Sequence, residues 1–206
     1  MFTGLIAEVG IVGFVHRRPS GLEYEVSCPV VRELFEIGSS VAVNGVCQTV
    51  SRLTEKGFVT EAVESTLHKT TVAGFCRGER VNIEPALRAG DSLDGHLLQG
   101  HVQMRGRVLS VKNAGLAWIL EIETSGAAPG IIIEGSIGID GVSLTVSTVG
   151  QSSFTVHIIP QTWKNTTLNL KRAGDSVNIE GDILVRSLQQ GAGKDLSESR
   201  LIEWGY

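Results

Sequence analysis

A chain of 206 residues, 42% hydrophobic and 19% charged, is long enough for two ordinary domains and too apolar to be disordered. Its net charge of −4, its 5% aromatic content and the lack of a basic tract weigh against nucleic-acid binding, which needs clustered Lys/Arg and stacking platforms. Three scattered cysteines, Cys28, Cys47 and Cys76, do not make a disulfide framework, and the odd count favours a reducing compartment. With no leader-like start and no apolar run near the ~20 residues of a membrane helix, a soluble, cytoplasmic protein is expected.

In chain order, the Val/Ile/Gly-rich segment Leu5–Val15 predicts a strand and Arg17–Gly21 a turn. Leu22–Val26 alternates apolar and charged residues, as a half-buried strand does. Pro29 opens a short helical pattern with Val30, Val31, Leu34 and Phe35 on one face and Gly38 placed to stop it. Val41 to Val50 is extended and broken by the turn pair Asn44-Gly45. Phe58–Val63 is a further strand, Ser65 or Thr66 is positioned to cap a short helix reaching about Ala73, and Arg80–Glu84 is a last strand. The same order then repeats, with strands at Arg107–Val111 and Trp118–Ile122, while 126–130 reads as an irregular loop or shortened helix.

The repeat has a constant offset of 96 residues. Val-Asn-Gly-Val-Cys-Gln-Thr-Val at 43–50 matches Ile-Asp-Gly-Val-Ser-Leu-Thr-Val at 139–146, Gly4 matches Gly100, and Val81–Glu84 matches Val177–Glu180. This is too long for a solenoid unit and is a whole small domain, duplicated. Short strands with regularly spaced glycine turns predict an all-β protein of two closed β-barrels. The expected boundaries are 1–95 and 96–186, each with a full set of strands and the first expected to fold alone, followed by an unrepeated tail, 187–206, as packing arm or oligomerisation element. Two copies of one fold offer two related ligand sites. They differ at Cys47 against Ser143, Leu5 against His101, and Ala86 against Asp182.

The start Met-Phe-Thr-Gly, the two repeated strings, Gly-His-Leu-x-x-Gly-His at 95–101 and Val-Asn-Ile-Glu-Gly-Asp at 177–182 together resemble the α-type riboflavin synthase family over about residues 1–186. The resemblance implies two six-stranded Greek-key barrels, a C-terminal helix and a homotrimer. It implies dismutation of two 6,7-dimethyl-8-ribityllumazine molecules: one gives a four-carbon unit to the other, forming riboflavin and 5-amino-6-(ribitylamino)uracil. No cofactor or metal is implied, because the lumazine ring stabilises its own C7-methyl carbanion. Lumazine synthase enters as a candidate partner; nucleic acid and membrane do not. The same architecture also permits a non-catalytic lumazine- or flavin-binding protein.

The catalytic candidates are Cys47, His101, Ser143, Thr145, Asp182 and Ser40. By resemblance Cys47 borders the N-terminal ligand, where a thiol can add to the ring or steer water; the plain structural reading is a small buried hydrophobe. A neutral imidazole at His101 can accept a methyl proton. Its spacing of five from His96 puts the two on opposite sides of a strand, against a metal pair. Ser143, Thr145 and Thr49 offer hydroxyls to a ribityl chain or ring carbonyls, although threonine also simply favours strands. Asp182 can orient a water or be a turn aspartate, and Ser40 is explained equally well as a turn serine shared with Ser136. The family places ligands against Gln48, against Glu61, Ala62, Val63, Glu64, Ser65 and Thr66, and against Gly100 and Val102; it places Gly4, Leu5 and Ile6 against the second barrel's ligand, and His101, although it begins the second copy, beside the first barrel's. It also places ligands against Leu144 and against Ile159, Pro160, Gln161, Thr162, Trp163 and Lys164. Glu134 stands where many members carry a lysine that reaches a neighbouring subunit's ligand; an ionised carboxylate cannot donate there.

Overall fold

A computed structural model describes residues 1–124 and 130–192. The expected loop or helix at 126–130 lies outside these except for Gly130, as does the tail beyond residue 192.

The first barrel is closed by β1 (Glu8–Arg18), β2 (Gly21–Ser27), β3 (Ser40–Val43), β4 (Val46–Leu53), β5 (Gly57–Val63) and β6 (Arg80–Pro85), in the spatial order β1-β2-β5-β4-β3-β6. The second contains β7 (Met104–Asn113), β8 (Trp118–Glu123), β9 (Ser136–Ile139), β10 (Val142–Val149), β11 (Ser153–Ile158) and β12 (Ser176–Gly181) in the equivalent cyclic order, all pairs antiparallel. Closure leaves no free edge to protect. The alternation predicted at Leu22–Val26 is present: Leu22, Tyr24 and Val26 are buried in the first core, beside Phe58 and Ile83. Asn44-Gly45 and Asp140-Gly141 make two-residue hairpins with positive φ at both positions, the geometry that suits right-twisted strands.

Three local expectations are corrected. The strand starts at Glu8, because residues 1–6 leave the barrel to cross to the other one. The helix expected after Pro29 is one 3-10 turn, Arg32–Leu34. Val31 and Phe35 reach the core, whereas Val30 and Leu34 stay exposed, so no continuous apolar face exists to hold a longer helix. The helix at 65–73 splits into α1 (Glu64–Lys69) and a 3-10 turn at 71–74. Neither Ser65 nor Thr66 caps it; Thr70 ends α1 by donating to Thr66 O at 2.7 Å and opens the next turn by accepting from Val72 N at 3.3 Å. The second copy repeats this in α2 (Pro160–Asn165) and Thr166. α3 (Ile183–Ala192) follows β12. Among the described residues no helix is long and apolar enough to cross a membrane.

A polar lattice joins the barrels about their approximate twofold. Asn82 Nδ2 donates to Asp140 O at 2.9 Å and Asn178 Nδ2 to Asn44 O at 2.8 Å. Their side-chain oxygens accept from Thr167 N and Thr71 N, each at 2.8 Å. Both asparagines are fully buried, and these bonds satisfy them across the interface.

Candidate ligand sites

The segments ahead of each barrel are exchanged. Phe2 and Leu98 pair with each other at the crossing. Beyond it, Gly4 O accepts from Ser143 N at 2.8 Å on the second barrel, and Gly100 O accepts from Cys47 N at 2.9 Å on the first. A buried glutamate holds each segment at its own barrel's end. Glu84 accepts from Thr3 N at 2.6 Å, Thr3 Oγ1 at 2.7 Å and Gly4 N at 3.0 Å, and Glu180 accepts from Gln99 N at 2.8 Å and Gly100 N at 3.0 Å. Burial raises both carboxyls above the ordinary glutamate range, more than these bonds lower them. The contacts demand glycine. A Cβ on Gly100 would lie 2.6 Å from Cys47 Cβ, one on Gly4 2.5 Å from Ser143 Cβ, and both residues have positive φ.

At the first site Cys47 and Thr49 project from the outer face of β4, between Val46, Gln48 and Val50, which are buried. Ser40 is in register with Thr49. Cys47, Ser65, Thr66, Lys69, Gly100 and His101 surround a cavity of about 170 Å³. Burial pushes the Cys47 thiol above its ordinary value, more than a hydrogen bond with Ser40 lowers it, so at neutral pH it is protonated.

At the second site Ser143 and Thr145 take the equivalent outward positions on β10, beside Gly4, Leu5 and Ile6. Ser143 Oγ lies 2.7 Å from His96 Nδ1. His96 is buried, its Nε2 has no hydrogen-bond partner among the described residues, and burial lowers its pKa despite the opposing Asp182 carboxylate. Its imidazole is therefore neutral at pH 7. Behind the site Trp163 of α2 stacks on Trp118 at 4.4 Å, and both pack on the second core with Ile6.

The two sites thus gather most of the expected residues, but His96 and His101 separate: one serves Ser143, the other lines the Cys47 cavity. Gln48, Ala62 and Leu144 are buried at inward strand positions, so only their backbone is available to a ligand on the outer face. Glu61, Val63, Glu64, Ile159, Pro160, Gln161 and Lys164 are exposed around α1 and α2, and Thr162 is half-buried. Asp182 caps α3, accepting from Leu184 N at 2.8 Å. Glu134 is exposed and has a left-handed backbone, φ 62°, where the first copy has Gly38. His96 was missed because it has no counterpart in the first copy; its signal was membership of the Gly-His-Leu-x-x-Gly-His string.

Two barrels with exchanged, glutamate-held ligand segments define a duplicated lumazine-binding protein, and the lumazine binding domain family matches residues 3–86 and 99–182. Riboflavin synthase of Brucella abortus (strain 2308) is 38% identical over 90% of this chain and 95% of its own, and that of Actinobacillus pleuropneumoniae is 36% identical over 92% and 89%. The chain belongs to the riboflavin synthase family. In fold it is also similar to LumP, solved with riboflavin (TM-score 0.82, 22% identity, 88% of this chain and 99% of that one) and with 6,7-dimethyl-8-(1′-D-ribityl) lumazine (TM-score 0.79, 22% identity, 87% and 98%).

Proposed function

We propose that the chain is a riboflavin synthase that binds one 6,7-dimethyl-8-ribityllumazine at each of its two sites and transfers a four-carbon unit between them. The observation that carries this reading is the asymmetric pair of otherwise equivalent sites: Cys47 with His101 at one, Ser143 with His96 at the other. Two identical substrates need similar walls, and a donor and an acceptor need different polar groups. Substrates and products contain the same atoms, so no external oxidant or reductant enters. The scaffold's task is to stack two rings and move protons. His101 at the rim is the base for a methyl proton of the first lumazine. The protonated Cys47 thiol and the Ser143 hydroxyl, the latter oriented by neutral His96, steer addition at C7. A purely binding protein of this fold would leave that His96–Ser143 pair unexplained.

Each active site is built from the first barrel of one chain and the second barrel of another. The cavity beside Cys47, about 170 Å³, lies below the ~300–1,000 Å³ of ordinary small-molecule sites, and it sits on an outer barrel face. A second barrel must cover it to enclose two rings. The exposed pair Leu184 and Leu188, four residues apart on α3, offers an apolar contact for a homotrimer, and a cytoplasmic setting belongs to the same reading. Thr49→Trp should block the first site and Thr145→Trp the second, each leaving an inactive protein. Mixed oligomers of the two, formed by joint refolding, should regain activity when incubated with the lumazine alone. Mixed oligomers that form and stay inactive would sink the inter-chain site.

A further inference from the structure

The segment that roofs the Cys47 site runs on into β7, whose exposed Arg105 and Arg107 are two residues apart and so leave the same face of the strand. Facing them, α1 ends on His68 and Lys69, and the two elements enclose a cleft of about 650 Å³. Lys69 lines both this cleft and the smaller cavity beside Cys47, so the two spaces adjoin. Among the described residues Lys69, Arg105 and Arg107 make no ion pair; His68 lies 3.5 Å from Glu64. Glu123 is the acidic residue lining the cleft, in register with Arg107. Gln103 also lines it, with a buried Nε2 that has no hydrogen-bond partner among the described residues. The first-copy counterparts of Arg105 and Arg107 are Val9 and Ile11, and the second-copy counterpart of Lys69 is Asn165. The counterparts of His68 and Ser176 are Lys164 and Arg80, so the equivalent cleft also carries cations, but the two arginines on one strand face belong to the first site alone.

We propose that this cleft is an anion subsite of the first ligand site and takes the terminal phosphate of a phosphorylated ribityl heterocycle. The inference rests on the reading that this site holds a ribityl-bearing ring. With the ring beside Cys47 and Thr66, the ribityl chain passes Lys69 and delivers its end to the arginines. Guanidinium forks match phosphate oxygens, and Lys69 adds a third cation along the way. A phosphorylated flavin then competes at a site whose substrate carries no phosphate, which would make the enzyme sensitive to a later derivative of its own product.

Binding of riboflavin and of riboflavin 5′-phosphate to the full chain, followed by flavin fluorescence, tests this. At low salt the phosphate ester should bind at least about tenfold tighter, an advantage that shrinks as ionic strength rises. The advantage should vanish in Arg105→Thr/Arg107→Thr, with riboflavin affinity unchanged. Millimolar inorganic phosphate should weaken the ester alone. Equal affinity for the two flavins, an advantage that survives the double substitution, or inorganic phosphate weakening riboflavin equally would overturn the subsite. Failure of both flavins to bind would overturn the underlying reading of the site.

Discussion

The first and second barrels differ least where they hold each other and most where they face a ligand. Asn82 and Asn178 make the same cross-barrel bonds, Glu84 and Glu180 hold the same exchanged segments, and Gly4 and Gly100 approach the facing strand equally closely. Outside that frame the copies diverge: Cys47 against Ser143, His101 against Leu5, and His96 with no counterpart at all. Duplication kept the framework symmetric because each half of it is the other half's partner. The ligand sites were free to diverge because each faces outward.

One difference sits inside the frame, and breaking it should give the largest effect. The first copy has Asn44 and Phe75 where the second has Asp140 and Lys171. Asp140 Oδ1 accepts from Asn178 N at 2.8 Å, as Asn44 Oδ1 does from Asn82 N, which leaves Oδ2 fully buried 2.7 Å from Lys171 Nζ. Burial works against the Lys171 ammonium, yet Asp140 outweighs it and the net shift is upward. Lys171→Met strands a buried carboxylate and should cost about 3–5 kcal/mol, read by urea unfolding. Asp140→Asn together with Lys171→Phe recreates the first copy's pair and should restore most of that loss. A double variant no better than Lys171→Met would mean that the two interfaces are not interchangeable.

The His96–Ser143 pair sharpens the comparison at the second site. Because burial lowers the folded-state pKa of His96, the folded chain binds this proton less readily than the unfolded chain. Its contribution to stability is complete above the unfolded value of ~6.5 and is lost as pH falls through the folded value. Glu84 and Glu180, both raised, contribute with the opposite sign at lower pH. The difference between wild type and His96→Gln isolates the histidine: wild-type melting temperature should fall more steeply between pH 7 and 5. Turnover should drop about tenfold in His96→Gln and in Ser143→Ala, and the double variant should be little worse than either single one, as expected of groups in contact. Fully additive losses would show that the two act separately.

How much of this was legible in the sequence follows from what is local. The barrels were, because the gapless repeat is read by laying the chain against itself, and period-two alternation and the Asn-Gly and Asp-Gly turns depend on near neighbours. The 3-10 turn at Arg32–Leu34 was not, because Val30 and Leu34 complete an apolar face on paper that nothing covers in the fold. The exchange of residues 1–6 and 97–102 had no local signature, because pairing Gly100 with Cys47 is a long-range event; the family resemblance alone implied it, by setting Gly4–Ile6 against the second barrel's ligand and His101 beside the first barrel's. Among site residues, Cys47 and Ser143 stood out as differences between copies. His96 did not, having nothing in the first copy to differ from.

The smallest expected effect concerns Glu134, the one place among the described residues where the second copy carries backbone strain that the first avoids. Glu134 and Gly38 occupy the same turn, each with a left-handed backbone, φ 62° and 92°. The turn is fixed in the second copy by Glu134 N donating to Val146 O at 2.9 Å, as Gly38 N donates to Val50 O at 2.8 Å in the first. A residue with a Cβ pays about 1–2 kcal/mol for that conformation, part of which glycine returns through its freer unfolded state. Glu134→Gly should therefore stabilise the chain by about 1 kcal/mol, a rise of about 2–4 °C in melting temperature at this size. Glu134→Lys keeps the strain and should leave the melting temperature unchanged while reversing an exposed charge at the rim of the second site. Under the inter-chain reading that charge faces another chain's ligand, so Glu134→Lys should change KM with little effect on kcat. A melting temperature that falls in Glu134→Gly would show that the carboxylate makes a stabilising contact outweighing its strain. A KM unmoved by Glu134→Lys would place the residue away from the ligand and return the turn to pure architecture.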